Sequence, residues 1–321
     1  MKLPGPTALA RLAAVALFTA AMALGWDIWW HQAIGRESFF IPPHVLLHVS
    51  VVAAVLTGFA GWYGTSDPAW RGFATVLLLI PLSAPFDELW HRAFGVETTL
   101  SPLIIWSPPH VALDFAIVMS CIMLLRILRH DKNADAARFL GAILLAIIIG
   151  GPLFMTMPVQ PLGGFDLIGF WGVGTVAFCL VGGLMLAEKW LGGFAPATLT
   201  AGASVVLGSV GYGENAPGAA VSHYIHIPNW LITFSILGLA AFLDLSRRVP
   251  HWLRGCIGGI FYAAILYGFS NPFLAEGFRY SSKELWIAVL SGAVGGLIAG
   301  VLVSGLDYYR KRYMVPLRWI R

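Results

Sequence analysis

An all-α, polytopic transmembrane helical bundle is the fold class that this sequence predicts, and three observations predict it. Of the 321 residues, 58% are hydrophobic and 11% charged, where a soluble domain carries about 25% charged residues. Apolar runs of about 20 residues, the length that crosses a bilayer, recur along the whole chain. Sixteen of the 20 Lys and Arg residues gather at alternate ends of those runs. The same composition excludes an ordinary cytosolic enzyme, a disordered chain and a nucleic-acid binder, despite the net charge of +4. Thirteen Trp and 36 Gly suit a membrane bundle, where aromatics sit at interfaces and Gly lets helices approach.

Ten spans are expected. The first covers 8–30. The second, 44–63, follows Pro42-Pro43, and Pro favours the first turn of a helix. The third covers 70–91; the fourth, 109–128, again follows a Pro-Pro pair. Runs at 137–156 and 168–187 supply the fifth and sixth. The seventh, 196–211, is the shortest and is rich in Gly and Thr, and the eighth covers 228–246. The ninth, 254–273, ends at an Asn271-Pro272 break. The tenth, 285–305, holds the Gly-rich run Gly292–Gly300, which reads as close helix packing. Cys121, Cys179 and Cys256 each lie inside an apolar stretch and form neither a CxxC site nor a disulfide framework.

Cytoplasmic loops carry the excess of Lys and Arg, so charge placement fixes the orientation. With both termini cytoplasmic, the inner segments hold Lys2, Arg11, Arg71, Arg126, Arg129, Lys132, Arg138, Lys189, Arg247, Arg248, Arg254, Arg310, Lys311, Arg312, Arg318 and Arg321. The outer segments hold only Arg36, Arg92, Arg279 and Lys283. The positive charge thus reports topology and needs no acidic partner. Residues 1–25 have a second reading as a signal peptide, with Ala21-Met22-Ala23 as the cleavage site. Cleavage there removes the first span and spoils the alternation of loop charge, so the span is preferred.

A repeat marks one face. Residues 27–44 read DIWWHQAIGRESFFIPPH and residues 87–110 read DELWHRAFGVETTLSPLIIWSPPH. Asp27, Trp30, His31, Gly35, Glu37 and His44 correspond to Asp87, Trp90, His91, Gly95, Glu97 and His110. The pattern is that of a duplicated helix hairpin, spans one and two matching spans three and four. It divides the chain into a duplicated four-helix region, 1–130, and six further spans, 131–321, within one integral membrane domain. Asp27 and His31, like Asp87 and His91, are four apart and share a helix face. His44 and His110 start the next spans, with His48 and Asp114 one turn further along. Both hairpin turns fall at the outer face.

Intramembrane Asp and His are costly and are either functional or paired. Two His and one Asp make a triad that holds a divalent metal with open positions. The metal ligands expected are Asp27, His31 and His44 for one set and Asp87, His91 and His110 for the other. Imidazole and carboxylate suit Cu(II), Fe(II) or Zn(II). The absence of a Cys or Met cluster argues against a Cu(I) chaperone. The alternative is that these groups hydrogen-bond one another and cap helix ends. Glu37 and Glu97 are candidates for proton handling beside the metal, or else outer-loop carboxylates. His48, Asp114, His223 and His226 are possible extra ligands. His130 and His251 read as solvated residues of inner loops. The aromatics around the repeat read as an interfacial belt, or as the apolar wall of a small-substrate pocket.

At Asp27, Trp30, His31, Gln32, Arg36, Glu37, Ser38, Phe39, Pro42 and His44 the sequence resembles the C subunit of the particulate methane and ammonia monooxygenase family. Asp87, Glu88 and His91, with Ser107, Pro108 and His110, look like that family's neighbouring second site. The likeness covers about residues 20–115. It implies one or two copper ions as cofactor, with iron as the alternative that the ligand set itself permits. It further implies a bacterial inner membrane with the site on the periplasmic side, and partner subunits or a homo-oligomer; an external electron donor is expected because no haem, flavin or iron–sulfur motif is visible in the sequence. Two departures stand out: Asp87 replaces the family's Asn, and the stretch from His91 to His110 is longer.

The function expected is a copper-dependent membrane monooxygenase-like oxidoreductase. It would oxidise a small apolar substrate, or ammonia, with O2, and the lipid bilayer is its constant partner. The alternative is a non-enzymatic protein that binds, senses or transports copper. Bis-His haem ligation is a third reading, which the carboxylates at i−4 disfavour.

Overall fold

The computed structural model describes residues 4–34, 40–95, 102–155, 167–211, 229–273 and 279–313. Every regular element among them is helical. The helices are α1 (Pro6–Ala33), α2 (Pro42–Gly64), α3 (Pro68–Leu77), α4 (Leu79–Phe94), α5 (Pro102–Ile105), α6 (Pro108–Leu128), α7 (Ala134–Met155), α8 (Leu167–Leu191), α9 (Pro196–Gly211), α10 (Asn229–Leu245), α11 (His251–Ser270) and α12 (Ser282–Tyr313). The protein is an integral membrane helical bundle.

Eight helical segments among the described residues are long and apolar enough to span a bilayer, where ten were expected. The difference lies in α9 and α10, at 16 and 17 residues. At 1.5 Å per residue they reach about 24–26 Å, short of a hydrocarbon core of about 30 Å. Apolar composition suggested two more crossings; among the described residues these two helices are shorter than the eight spans, and both border residues 212–228, which lie outside the described residues. The charge tally is untouched, because residues 192–246 contain no Lys or Arg.

The chain forms two compact units, Met1–Gly151 with Val206–Ala219, and Pro152–Val205 with Ala220–Arg321. In the first unit α1 packs on α2, and α3 and α4 pack on α6. The third span is broken at Leu78 between α3 and α4. Pro81 explains the break, since it has no N–H to bond the Leu77 carbonyl.

Arg11 of α1 makes a two-pronged ion pair with Asp131 after α6, both bonds 2.8 Å. A cavity of about 260 Å³ beside them is lined by Pro6, Thr7, Ser66, Asp67, His130 and Asp131, among others. The start of α1, the α2–α3 turn and the end of α6 therefore meet at one end of the unit, as four crossings require. The Arg11 hydrogen bonds hold the Asp131 carboxyl below its usual range. A carboxylate lowered on folding stabilises fully above its unfolded value, about 3.9, and loses that contribution as pH falls through the folded one. The gap in thermal stability between wild type and Asp131→Asn should accordingly be full near neutrality and close in acid. A gap independent of pH would contradict the pairing.

In the second unit α11 and α12 cross with backbones almost touching. A Cβ on Gly255 or Gly259 would collide with the carbonyls of Gly296 or Gly292, and one on Gly295 with that of Gly174 in α8. Gly268, on the same helix, faces open space. Gly259→Ala should cost about 1–3 kcal/mol by overpacking. Gly268→Ala should gain up to about 1 kcal/mol of helix propensity. Opposite shifts in melting temperature of the solubilised protein are the expected result.

At one end of this unit lies a charge network. Arg254, with no exposed side-chain surface, pairs with Glu188 at 2.5 Å and donates to the Leu243 carbonyl at 2.6 Å. Its Nη1 donates to His251 Nδ1 at 3.3 Å, and His251 Nε2 faces Asp307 at 3.1 Å. Lys189 completes the chain on Asp307 at 2.5 Å. His251 is thus a half-buried network member rather than the solvated loop residue expected. Asp244 caps α9 by accepting from the Thr198 backbone and hydroxyl at 2.8 and 2.7 Å. The turn into α9 uses positive φ at Gly192 and Gly193, which glycine adopts without a Cβ penalty.

Candidate metal centre

The centre is built at the end of the first unit opposite the Arg11–Asp131 pair. α4 carries Asp87 and His91 one turn apart in its last two turns, before Gly95 ends it at φ 95°. α6 begins with Ser107 as cap, its Oγ accepting the His110 backbone N–H at 3.3 Å, and Pro108-Pro109 forms its first turn. The cap and the two prolines place His110 at a fixed rotation on the helix start.

Asp87, His91 and His110 converge, their ligand atoms all within 4.8 Å of one another. His110 Nε2 lies 3.1 Å from Asp87 Oδ1 and His91 Nε2 lies 3.4 Å from Asp87 Oδ2. Both imidazoles are buried, and the Asp87 side chain is 30% exposed. Behind them, His91 Nδ1 meets the Gly95 carbonyl at 2.8 Å and His110 Nδ1 meets the Ile104 carbonyl at 2.9 Å. A carbonyl only accepts, so both Nδ1 atoms carry the proton.

That assignment decides the chemistry. In the neutral rings both Nε2 atoms then present lone pairs towards a carboxylate. Asp87 Oδ1 is buried without a hydrogen bond, although His110 Nε2 is at contact distance. Three electron-rich atoms facing one another call for a positive charge: a proton on Nε2, which makes an imidazolium–carboxylate pair, or a metal ion, which the three residues could hold. Nδ1–H bonded to a carbonyl with Nε2 directed inward is also the arrangement in which histidines ligate metals. The residues fit a divalent transition metal, and two imidazoles with one carboxylate leave coordination positions open.

The extra length between His91 and His110 is part of the construction. It holds α5, whose Ile104 carbonyl orients His110 and whose Leu103 carbonyl accepts from Trp90 Nε1 at 3.0 Å. These backbone acceptors were not legible in the sequence, since any residue type supplies a carbonyl. Only the positive-φ glycine at 95 was a signal.

In the first copy, His44 Nε2 lies 3.0 Å from the buried Asp27 Oδ1. The side chain of His31 lies outside the described residues, as do Glu37, Glu97, His223 and His226. His48 sits one turn along α2, its Nδ1 2.5 Å from the His44 carbonyl. Asp114 faces α7, where its carboxylate occupies the space a Cβ at Gly151 would need. Neither His48 nor Asp114 joins the three-residue group. Glu88 pairs with Arg92 at 2.8 Å instead. Compared with protein families, curated proteins and solved structures, the chain shows no match in any of the three.

Proposed function

We propose that the chain is a copper-dependent membrane oxidoreductase of the monooxygenase kind, with its centre at Asp87, His91 and His110. The observation that carries this reading is the pair of Nδ1-protonated imidazoles turned with Nε2 towards one carboxylate. Open positions favour catalysis over storage, since a storage or transfer site gains by filling every position. Copper bound there would supply binding and reduction of O2. Asp87 contributes the negative charge that offsets part of a divalent cation. His91 and His110 hold their donor atoms in place through the Gly95 and Ile104 carbonyls, so little reorganisation accompanies binding.

Phe86, Leu89 and Trp106, on the same segments of the chain as the centre, are exposed, and in a bilayer they meet lipid. A small apolar substrate dissolved in the membrane can reach the site along that surface, and ammonia can reach it from the water side. Electrons come from an external donor. In this reading the membrane is a bacterial inner membrane and the centre faces the periplasm. In this reading Asp27 and His44, 3.0 Å apart, form the core of a second position in the duplicated hairpin.

Metal analysis of the purified protein in lipid by mass spectrometry tests the reading, for wild type and for His91→Ala. Copper in wild type and its loss in the variant are expected, followed by oxygen uptake with small hydrocarbons or ammonia. Iron in place of copper keeps the oxygenase reading and replaces its metal. Wild-type protein that retains no metal after copper or iron loading overturns it.

A further inference from the structure

Trp90 differs from the other interfacial aromatics in what its indole does. Its Nε1–H donates to the carbonyl of Leu103, and the next carbonyl, Ile104, accepts from both His110 Nδ1 and the Ser107 backbone N–H, the latter at 3.2 Å. The short helix α5 is therefore tied to α4 through Trp90 and to α6 through His110. A one-turn helix has too few internal hydrogen bonds to hold its own orientation, so these ties decide where the Ile104 carbonyl points. The corresponding Trp30 of the first copy has a buried Nε1 with no acceptor among the described residues. Its connection, His31 to His44, is shorter than His91 to His110 by six residues (13 against 19).

We propose that Trp90 is a positioning residue of the candidate metal centre: its N–H fixes α5 so that the Ile104 carbonyl holds His110 in the Nδ1–H form with Nε2 directed at Asp87. The metal role of that centre rests on the functional reading above; the tautomer does not. Removing the donor frees the Ile104 carbonyl to turn, and the His110 ring with it. Outer partners of metal-ligating histidines are worth about 10- to 100-fold in affinity, which sets the size of the effect.

The test uses full-length, metal-depleted protein in lipid nanodiscs with ¹⁵N-labelled histidine rings, the His110 signals assigned by difference with His110→Gln. Trp90→Phe keeps an aromatic ring against Phe94 and removes only the N–H. Wild type should show His110 as the Nδ1–H tautomer, and Trp90→Phe a mixture of the two. On titration with Cu(II) alone, Trp90→Phe should bind about 10- to 100-fold more weakly and with a changed electron paramagnetic resonance spectrum. Trp30→Phe should change neither the tautomer nor the spectrum of the second site. Trp90→His, which restores a ring N–H, should recover part of the loss. If the histidine variant is as impaired as the phenylalanine one, or Trp90→Phe keeps both tautomer and affinity, the proposal is overturned. Wild type that shows the tautomer yet binds no copper overturns the metal reading instead.

Discussion

Replacing Asp87 with alanine should abolish metal binding at the second copy, and replacing it with asparagine should separate binding from stability. Alanine removes the only carboxylate of the group and leaves two imidazole nitrogens with no counter-charge. Asparagine keeps one oxygen donor but loses the charge, so Cu(II) affinity should fall by at least tenfold, about 1.4 kcal/mol. The metal-free protein should respond in the opposite direction. Of its two Nε2 lone pairs, 3.1 and 3.4 Å from the two carboxylate oxygens, one would face the amide NH2, which donates to it, and the other the amide oxygen, now without the carboxylate's charge. The metal-free Asp87→Asn protein should therefore melt no lower than wild type, while added copper raises its melting temperature less. A site under selection for binding commonly carries such local strain. Parallel thermal scans with and without copper decide the matter. If metal-free Asp87→Asn is clearly destabilised, Asp87 is a structural acceptor and the electron-rich site is misread.

Loss of the Arg254 guanidinium should be the most damaging single change in the second unit. The side chain has no exposed surface and Glu188 is 7% exposed. Arg254→Ala would leave a buried carboxylate and the Leu243 carbonyl without their donor. Removing one member of a buried pair costs about 3–5 kcal/mol. Replacing both members by apolar residues of similar volume removes the stranded charge as well. The pair Arg254→Met with Glu188→Leu should recover most of the loss, and a double-mutant cycle on melting or denaturant unfolding measures the coupling. A single Arg254→Ala that costs less than about 1 kcal/mol would show that water reaches the network.

The likeness of the two hairpins was legible because it is written in residue identity and spacing. Asp87 and His91 share a face by being four apart. Pro42 and Pro108 open their helices because proline has no N–H to lose there. Close packing of α12 was likewise legible in its run Gly292–Gly300, though not that α11 and α8 are the helices it meets. Tautomers, by contrast, could not be read, because they depend on which backbone carbonyl stands behind each ring. Nor could the role of Trp90, whose acceptor lies 13 residues away across a turn. His251 was misjudged for a related reason: its partners Lys189 and Asp307 are 62 and 56 residues distant, and a loop position says nothing about such neighbours.

The span count shows the same limit from another side. Hydropathy identified α9 and α10 as apolar, but among the described residues they are shorter than the eight spans. By itself, then, the sequence determined that this is a helical membrane protein and that an Asp-His-His set recurs in it. Those properties depend on solvation and local geometry, which act residue by residue. Only the tertiary structure decided that Asp87, His91 and His110 close on one point with Nε2 inward. Convergence and proton position are set by distant backbone partners, and packing alone brings those together.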